Sequence, residues 1–221
     1  MSDILEVIKS RRTIKHFLPK FVSWDSIAHI IDAARHAPSC GNVQNWKFIV
    51  ILDQNQKNQI AEAAYDQTDI SLAGALIIVC AEPEKAERYY GLRGERLYSI
   101  QNSAAAIQNM LLEAQSLGLG SAWIGAFDED VLRSSCGIPP EVRPQAIVAI
   151  GYPQEIPQMP PKYPLETLVY FHKWRNKIRD PAKYTNDIAS ILARKAHSVT
   201  EAMQKKGHSF SPQQDELHEN L

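Results

Sequence analysis

The fold is decided by one stretch of the chain, Pro38-Ser39-Cys40-Gly41-Asn42-Val43-Gln44-Asn45-Trp46, which runs directly into Lys47-Phe48-Ile49-Val50-Ile51-Leu52. The first part is polar and contains a glycine, which predicts a tight loop, and the second is an apolar run of strand length. A polar loop held by a buried strand is a usual arrangement for a ligand site. The alternative is a turn whose amide side chains only satisfy its own backbone.

A second polar cluster, Ser10-Arg11-Arg12-Thr13-Ile14-Lys15, follows the first predicted helix, residues 3–10. Its three cations and its hydroxyl can hold a phosphate, because each guanidinium group binds two oxygens and a hydroxyl binds a third. The alternative is a solvated helix end, where cations interact favourably with the helix dipole. Together with the loop, the cluster indicates a polar, phosphorylated ligand.

The remaining pattern predicts alternating helices and strands. Ser23 can cap a helix that ends before Pro38, and residues 99–117 are so apolar that they predict a central, fully buried helix. The other predicted elements are strands at 46–52, 75–81 and 145–151, an apolar passage at 121–127, and helices near 55–65, 128–136 and 182–206. Continuous apolar runs suit strands that are covered on both faces. Five prolines in residues 153–164 predict an extended segment there.

Composition limits the possible functions. The 221 residues are 44% hydrophobic and carry a formal net charge of -1, which fits one domain with a sizeable core and disfavours a general nucleic-acid or anionic-membrane binder. We divide the chain into a domain at 1–175 and a helical extension with a polar tail at 176–221. No apolar run is long enough to span a membrane, and Cys40, Cys80 and Cys136 are widely spaced, so we expect no metal site and a cytoplasmic location.

The common nucleotide-binding and hydrolase motifs are absent: the sequence contains no Gly-x-Gly-x-x-Gly after a strand, no P-loop, no His-Glu-x-x-His and no Gly-x-Ser-x-Gly. Cys40 lacks a general base in the sequence, and it is interpreted as a small wall residue instead of a nucleophile. We therefore assign no catalytic side chain.

These pieces, taken in order, resemble the FMN-dependent nitroreductase family. The matching segments are residues 10–17, 37–48, Gln67, 117–125, 150–153 and 162–166. The resemblance covers roughly residues 3–172, and the order and spacing of the segments make it specific. It implies a three-layer α+β fold, with a central mixed, mainly antiparallel sheet flanked by helices, in an intertwined homodimer with two FMN sites at the interface.

The resemblance also implies roles for individual residues. Arg11 and Thr13 would hold the FMN phosphate, Arg12 the phosphate or the ribityl chain, and Lys15 the pyrimidine edge of the flavin. Ile124 would pack on the flavin ring, the Gly125 backbone would lie near the flavin N5, and Lys162 would close the phosphate site. The remaining implied flavin contacts are Gln67 and, from the other subunit's loop, Pro38, Ser39, Cys40 and Asn42.

The implied activity is a ping-pong transfer of two electrons from NADH or NADPH, through FMN, to a nitroaromatic, a quinone or another flat, small-molecule acceptor. The alternatives are specialised flavin chemistry, such as flavin cleavage or reductive dehalogenation, and a flavin-binding protein without turnover. The chain departs from the family where Asn45 replaces the usual proline of Gln-Pro-Trp. Residues 82–98, rich in tyrosine and arginine, either roof an aromatic or anionic acceptor or form an exposed connector.

Overall fold

The structure is a computed structural model that describes residues 3–65 and 69–177. It contains two compact units, Met1–Met159 and Pro160–Leu221. The described residues of the first unit form six α-helices: α1 (Ile4–Ser10), α2 (Trp24–Arg35), α3 (Gln54–Ala63), α4 (Pro83–Arg93), α5 (Ser99–Ser116) and α6 (Glu129–Cys136). Its strands are β1 (Phe17–Leu18), β2 (Trp46–Ile51), β3 (Ala75–Ala81), β4 (Gly120–Ile124) and β5 (Arg143–Pro153).

The five strands form one sheet in which β5 is the central member. Its pairings with β1, β3 and β4 are all antiparallel, and β2 pairs antiparallel with β3. The only parallel pairing among the described residues is an isolated bridge between Thr13 and Ser121. Because Thr13 belongs to the basic cluster, this bridge attaches the cluster to the edge of β4.

Strand alternation divides the core into two parts, one on each face of the sheet. Ile77 and Val79 of β3 belong to the core formed with α2 and α5, whereas Leu76 and Ile78 belong to the core formed with α3 and α6. Successive side chains of a strand point to opposite faces, so a continuous apolar run such as Ala75–Ala81 needs a helical layer on both sides. The predicted three-layer α+β architecture is confirmed.

Most predicted elements lie where the pattern places them. Ser23 caps α2 by accepting a hydrogen bond from the Ser26 backbone N–H at 3.2 Å, and Gly137 ends α6 with a φ of 62°. One prediction is wrong in part: α5 is buried along one side only, since Ile100 is 46% exposed. Residues 82–98, expected to form either a roof over the acceptor or an exposed connector, are helical: they contain α4 and a π-helical turn at Gly94–Tyr98.

The described part of the second unit is short. It contains one helical turn, α7 (Leu165–Leu168), followed by a bend in which the rings of Tyr170 and Trp174 lie 4.7 Å apart. The predicted helix at 182–206 lies outside the described residues. The compact units divide between 159 and 160, and the proposed domain limits of 1–175 and 176–221 stay a prediction. Within the described ranges, no helix combines the length and apolar character needed to cross a membrane.

Candidate functional site

The loop before β2 is a tightly curled segment with an unusual backbone. Gly41, Asn42 and Gln44 all have positive φ angles, of 51°, 57° and 48°. The loop's own bonds hold this shape: Ser39 accepts from the Asn42 backbone N–H at 3.0 Å through its carbonyl and from the Gln44 backbone N–H at 3.1 Å through Oγ. Asparagine tolerates the left-handed region better than most residues, whereas a glutamine there is strained. Such strain concentrates at ligand sites.

Buried amide groups attach this loop to the start of α5. Asn45 is fully buried, and its Nδ2 donates to Ser99 Oγ at 2.8 Å. Asn102 Nδ2 donates to Asn45 Oδ1 at 2.8 Å, and Asn102 Oδ1 accepts from the Cys40 backbone N–H at 3.0 Å. A buried polar network that satisfies its members in this way gives a region one well-defined geometry.

The family's proline would not fit at position 45 of this loop. Residues that precede a proline avoid the helical regions of backbone space, and Gln44 has a φ of 48°. The asparagine instead uses its main chain as well as its side chain, since its carbonyl accepts from the Glu82 backbone N–H at 2.7 Å. The departure from Gln-Pro-Trp is therefore part of a different way of anchoring the same loop.

Helix α4 lies directly against the loop. A Cβ atom added to Gly41 would come within 2.3 Å of the Tyr90 hydroxyl, so glycine at this position lets the helix approach. The Tyr90 ring meets the Tyr98 ring edge-on at 5.3 Å. Glu82, before α4, pairs with Lys85 at 2.5 Å and with Lys47 at 3.5 Å. Burial alone would raise the pKa of Glu82, but the Lys85 hydrogen bond and the charge of Lys47 outweigh it and lower that pKa.

The basic cluster is fixed at its backbone, at the edge of β4. The Ile14 backbone N–H donates to the Ser121 carbonyl at 3.0 Å, next to the Thr13–Ser121 bridge. Gly120 allows this close approach, since a Cβ there would lie 2.6 Å from the Ile14 side chain. Ile14 itself is buried, so Thr13 and Lys15, on either side of it, are exposed. Anchoring by the intervening apolar residue therefore sets the positions of both polar neighbours.

The cationic side chains of the cluster differ in their partners. Arg12 Nη1 donates to the carbonyl oxygens of Lys9 at 2.7 Å and Arg11 at 2.9 Å, which stabilises the end of α1. Arg12 Nε is buried and lacks a hydrogen-bond partner among the described residues. Over the same part of the chain, the side chains of Arg11 and Lys15 form no hydrogen bond or ion pair. A cluster of this kind is suited to an anion supplied from outside.

Gln67 lies outside the described residues, but the chain just after it returns to the basic cluster. The Asp69 backbone N–H donates to the Lys15 carbonyl at 3.2 Å, and the Asp69 carboxylate lies 2.7 Å from His16 Nδ1. These contacts fix the backbone of Lys15 and the side chain of His16.

The end of β4 presents a buried side chain followed by open backbone. Ile124 is buried in the core on the α3 and α6 side, whereas Trp123 is 41% exposed. Gly125 comes directly after the strand and is exposed. The Ile124 side chain is therefore largely covered by this core, and the exposed backbone begins at Gly125.

Ten of the twelve predicted site residues form two groups; the other two are Gln67 and Lys162. Arg11, Arg12, Thr13, Lys15, Ile124 and Gly125 belong to the β4 region, and Pro38, Ser39, Cys40 and Asn42 belong to the loop that α5 anchors. None of the hydrogen bonds and ion pairs found in residues 3–65 and 69–177 joins the first group to the second. Lys162 belongs to the second compact unit. The assignment of all these residues to a flavin site stays a prediction.

Sequence reasoning missed Ser99 and Asn102, which hold the loop in place. They were included in an apolar helix, but their spacing of three residues places both on one side of it, and that spacing is a usable signal. The other cysteines do not extend the site, since burial raises the pKa of Cys80 to about 12 and also raises that of Cys136. In the described part of the chain, no group of three or more potential metal ligands occurs.

The fold and site thus define a class: a three-layer α+β protein with a basic cluster suited to an anion at one strand edge and a rigid polar loop. The nitroreductase family model matches residues 8–87 and 72–152, which together span more than half of the chain. This chain belongs to the nitroreductase family, as its motifs indicated.

Individual relatives agree with this assignment. A protein of Archaeoglobus fulgidus, named as a candidate NADH dehydrogenase/NAD(P)H nitroreductase, is 34% identical over 159 residues, covering 70% of this chain and 88% of that protein. The FMN reductase (NADPH) of Bacillus subtilis is 24% identical over 198 residues, covering 84% of this chain and 79% of that enzyme. The crystal structure of a nitroreductase family protein from Clostridium difficile has a TM-score of 0.68 and 26% identity, covering 79% of this chain and 100% of that one.

Proposed function

We propose that this chain is an FMN-dependent oxidoreductase that transfers two electrons from NADH or NADPH to a nitroaromatic, a quinone or a similar flat acceptor. Membership of the nitroreductase family supports this proposal. So do the names of the relatives, one of which is an FMN reductase (NADPH). Cytoplasmic location stays a prediction.

The observation that carries the proposal is the unsatisfied charge of the basic cluster. Arg11 and Lys15 have no side-chain partner in the described ranges, and Arg12 Nε is buried without one. An unpaired buried donor is costly, so a cluster of this composition is completed by an anionic ligand. The phosphate of FMN has the charge and the acceptor oxygens that these donors need, and the residues present therefore fit this cofactor.

Each residue then has a binding or orienting role. Arg11 and Thr13 bind the phosphate, and Lys162 is proposed to add a further cation to it. Arg12 holds the end of α1 in place and directs Nε toward the phosphate or the ribityl chain. Bound FMN supplies a reversible two-electron carrier with a flat reactive ring.

The rest of the proposed mechanism needs no side-chain proton donor. Lys15 would supply positive charge at the pyrimidine edge of the bound ring. The exposed backbone at Gly125 and the rigid loop define where a flat molecule can lie, so donor and acceptor must use the same place in turn. Ping-pong kinetics follow from that exclusion.

We further propose a homodimer in which the loop of one subunit completes the basic site of the other. The first support is that the two groups share no hydrogen bond or ion pair over the described residues. The second is α1, whose apolar residues Ile4, Leu5 and Ile8 are 70%, 44% and 46% exposed. An apolar helix side of this kind is typical of a surface that a partner covers.

The dimer is tested by light scattering coupled to size exclusion, read beside flavin absorbance. Replacing both Ile4 and Ile8 with Glu should lose the dimer and the bound flavin together. A single Val131→Glu change on the exposed side of α6 should lose neither. A wild-type protein that is monomeric and fully loaded with flavin would show that the sites do not need a second subunit.

The enzymatic proposal is tested by anaerobic addition of NADH and then NADPH to the purified, flavin-loaded protein. Loss of the oxidised flavin band within seconds, followed by its recovery on adding a quinone, is the expected result. A band that persists for hours with both nucleotides would instead indicate a binding protein. Aerobic consumption of reduced FMN itself, with loss of the ring, would indicate flavin cleavage as the reaction.

A further inference from the structure

A cleft of about 340 Å³ lies between the loop and α4. Residues Gly41, Asn42 and Val43 form one wall, and Lys85, Arg88 and Tyr89 form the other. The helical spacing of the last three residues places them on one side of α4. A cleft of this size accommodates a substituted aromatic ring or one end of a larger ligand.

The charges that line the cleft are all positive, since Lys85 and Arg88 are its only ionisable residues apart from the Tyr89 phenol. Their carboxylate partners neutralise them only in part. Arg88 lies 3.9 Å from Glu84, and both side chains are more than 60% exposed, so this pair contributes little. Lys85 shares Glu82 with Lys47, which leaves an excess of positive charge beside the cleft.

Arg93, the next arginine after Arg88 in α4, has another partner. Arg93 Nε donates to the Tyr98 hydroxyl at 3.0 Å, and the guanidinium group lies 5.5 Å from the centre of that ring. Of the arginines in residues 82–98, it is therefore Arg88 that the structure places at the cleft wall.

Both walls of the cleft are well fixed. The Gly41 wall is held by the Cys40 contact with Asn102, and the α4 wall abuts Gly41 through Tyr90. The backbones that carry Lys85 and Arg88 are thus fixed beside the cleft, so an anion bound there would order only the two cationic side chains.

We propose that this cleft is a substrate subsite that binds an anionic substituent, a carboxylate or a phosphate, through Arg88 and Lys85, with the Tyr89 ring against the attached flat group. The inference rests on the proposed function, because Asn42 places the cleft beside the proposed flavin site. The anion has two possible sources: a carboxylate on an aromatic acceptor, or a phosphate of the nicotinamide dinucleotide.

The test compares 4-nitrobenzoate with 4-nitrobenzyl alcohol, which has the same ring without the charge. Arg88→Gln should lower kcat/KM for the benzoate about fivefold relative to the alcohol, and Arg88→Lys should retain most of that preference. Arg143→Gln is the matched control, since Arg143 is another exposed arginine paired with a glutamate, Glu129 at 2.9 Å. It should change neither value.

Two further measurements distinguish the two sources of the anion, and distinguish failure of the subsite from failure of the proposed function. Stopped-flow reduction by NADH and NADPH, without acceptor, identifies a phosphate if Arg88→Gln slows this half-reaction. Calorimetric binding of 4-nitrobenzoate to the oxidised protein needs no turnover. Arg88-dependent binding to a protein without activity would therefore contradict the proposed function and support the anion subsite. Equal effects of Arg88→Gln and Arg143→Gln in all three measurements would overturn the subsite.

Discussion

The two halves of the candidate site are built in opposite ways. The loop at 38–45 is held by buried amide side chains. Asn45 and Asn102 are bonded to each other, Asn45 is also bonded to Ser99 of α5, and Asn102 accepts from the Cys40 backbone of the loop. The basic cluster at 11–15 is held through its backbone, the Ile14 side chain and the Arg12 bonds to the end of α1, and its other two cations have no partner in the described chain. The loop therefore has its shape before any ligand binds, whereas the cations of the cluster need an anionic ligand to pair with.

This difference indicates that the loop contributes to the stability of the protein and the cluster to its affinity for a ligand. Removing a loop amide should reduce the stability of the protein itself, because buried partners lose their bonds. Removing Arg11 or Lys15, whose side chains have no partner in the described chain, should leave the stability of the free protein unchanged and weaken only ligand binding. Stability and affinity measurements can thus be used separately on the two halves.

The largest effect is expected from Asn102→Ala. This change leaves Asn45 Oδ1 and the Cys40 backbone N–H without their partners inside the protein, so it should lower the free energy of unfolding by about 3 kcal/mol. Urea unfolding measures the loss. The control lies two turns along α5, where the Asn109 side chain donates one bond within the described ranges, to the Ala33 carbonyl at 3.0 Å. Asn109→Ala should cost about 1 kcal/mol, and equal losses would contradict a special role for the network.

The second effect is on affinity alone. Arg11→Ala removes an unpartnered guanidinium group, so FMN should bind about ten- to a hundredfold more weakly, which corresponds to roughly 1.5–3 kcal/mol. Riboflavin, which lacks the phosphate, should bind as before, and the flavin-free protein should unfold at an unchanged urea concentration. Equal weakening of both flavins would assign Arg11 to the ring or the ribityl chain instead.

A third, smaller effect tests the contact between the loop and α4. Gly41→Ala adds a Cβ next to the Tyr90 hydroxyl at a φ of 51°, and it should cost about 2 kcal/mol in unfolding free energy. Part of that cost is steric and part is conformational. In the Tyr90→Phe background the nearest ring carbon lies at 3.4 Å, so the same substitution should cost only about 1 kcal/mol. A double-mutant cycle without coupling would show that Tyr90 does not rest on Gly41 in solution.

Elements with a strong apolar period were predictable, and contacts between distant polar residues were not. Strand β3 occupies Ala75–Ala81 as predicted, because an uninterrupted apolar run of that length has one stable solution between two helical layers. Helix α4 gave no such signal, since Ala86 is its only buried residue and Gly91 has a non-helical backbone. Its Tyr90 ring packs edge-on against Tyr98 and lies next to Gly41, contacts that no periodicity predicts.

The candidate site shows the same division. Motif spacing located both polar segments, and the loop's glycine predicted its tight turn. The bond between Asn45 and Asn102 joins residues 57 positions apart, and neither position announces its partner. The orientation of Ile124 toward the core likewise depends on the register of β4 against β5, where Ile124 pairs with Ile147.

The smallest effect concerns the acid side of the stability profile. Glu82 has a lowered pKa because its bonds to Lys85 and Lys47 outweigh its burial, so the unfolded chain takes up a proton near the ordinary value of 4.5 while the folded protein does so only at lower pH. The stability that Glu82 contributes is complete above that value and is lost as the pH falls through the folded pKa. Glu82→Gln should remove this loss, so urea unfolding between about pH 3 and about pH 7 should give a flatter profile, by less than about 1 kcal/mol. Glu141→Gln, at a carboxylate without an ion pair in the described chain, should leave the slope as in the wild type. A Glu82→Gln profile parallel to the wild type would mean that Lys85 and Lys47 do not form ion pairs with this carboxylate in solution.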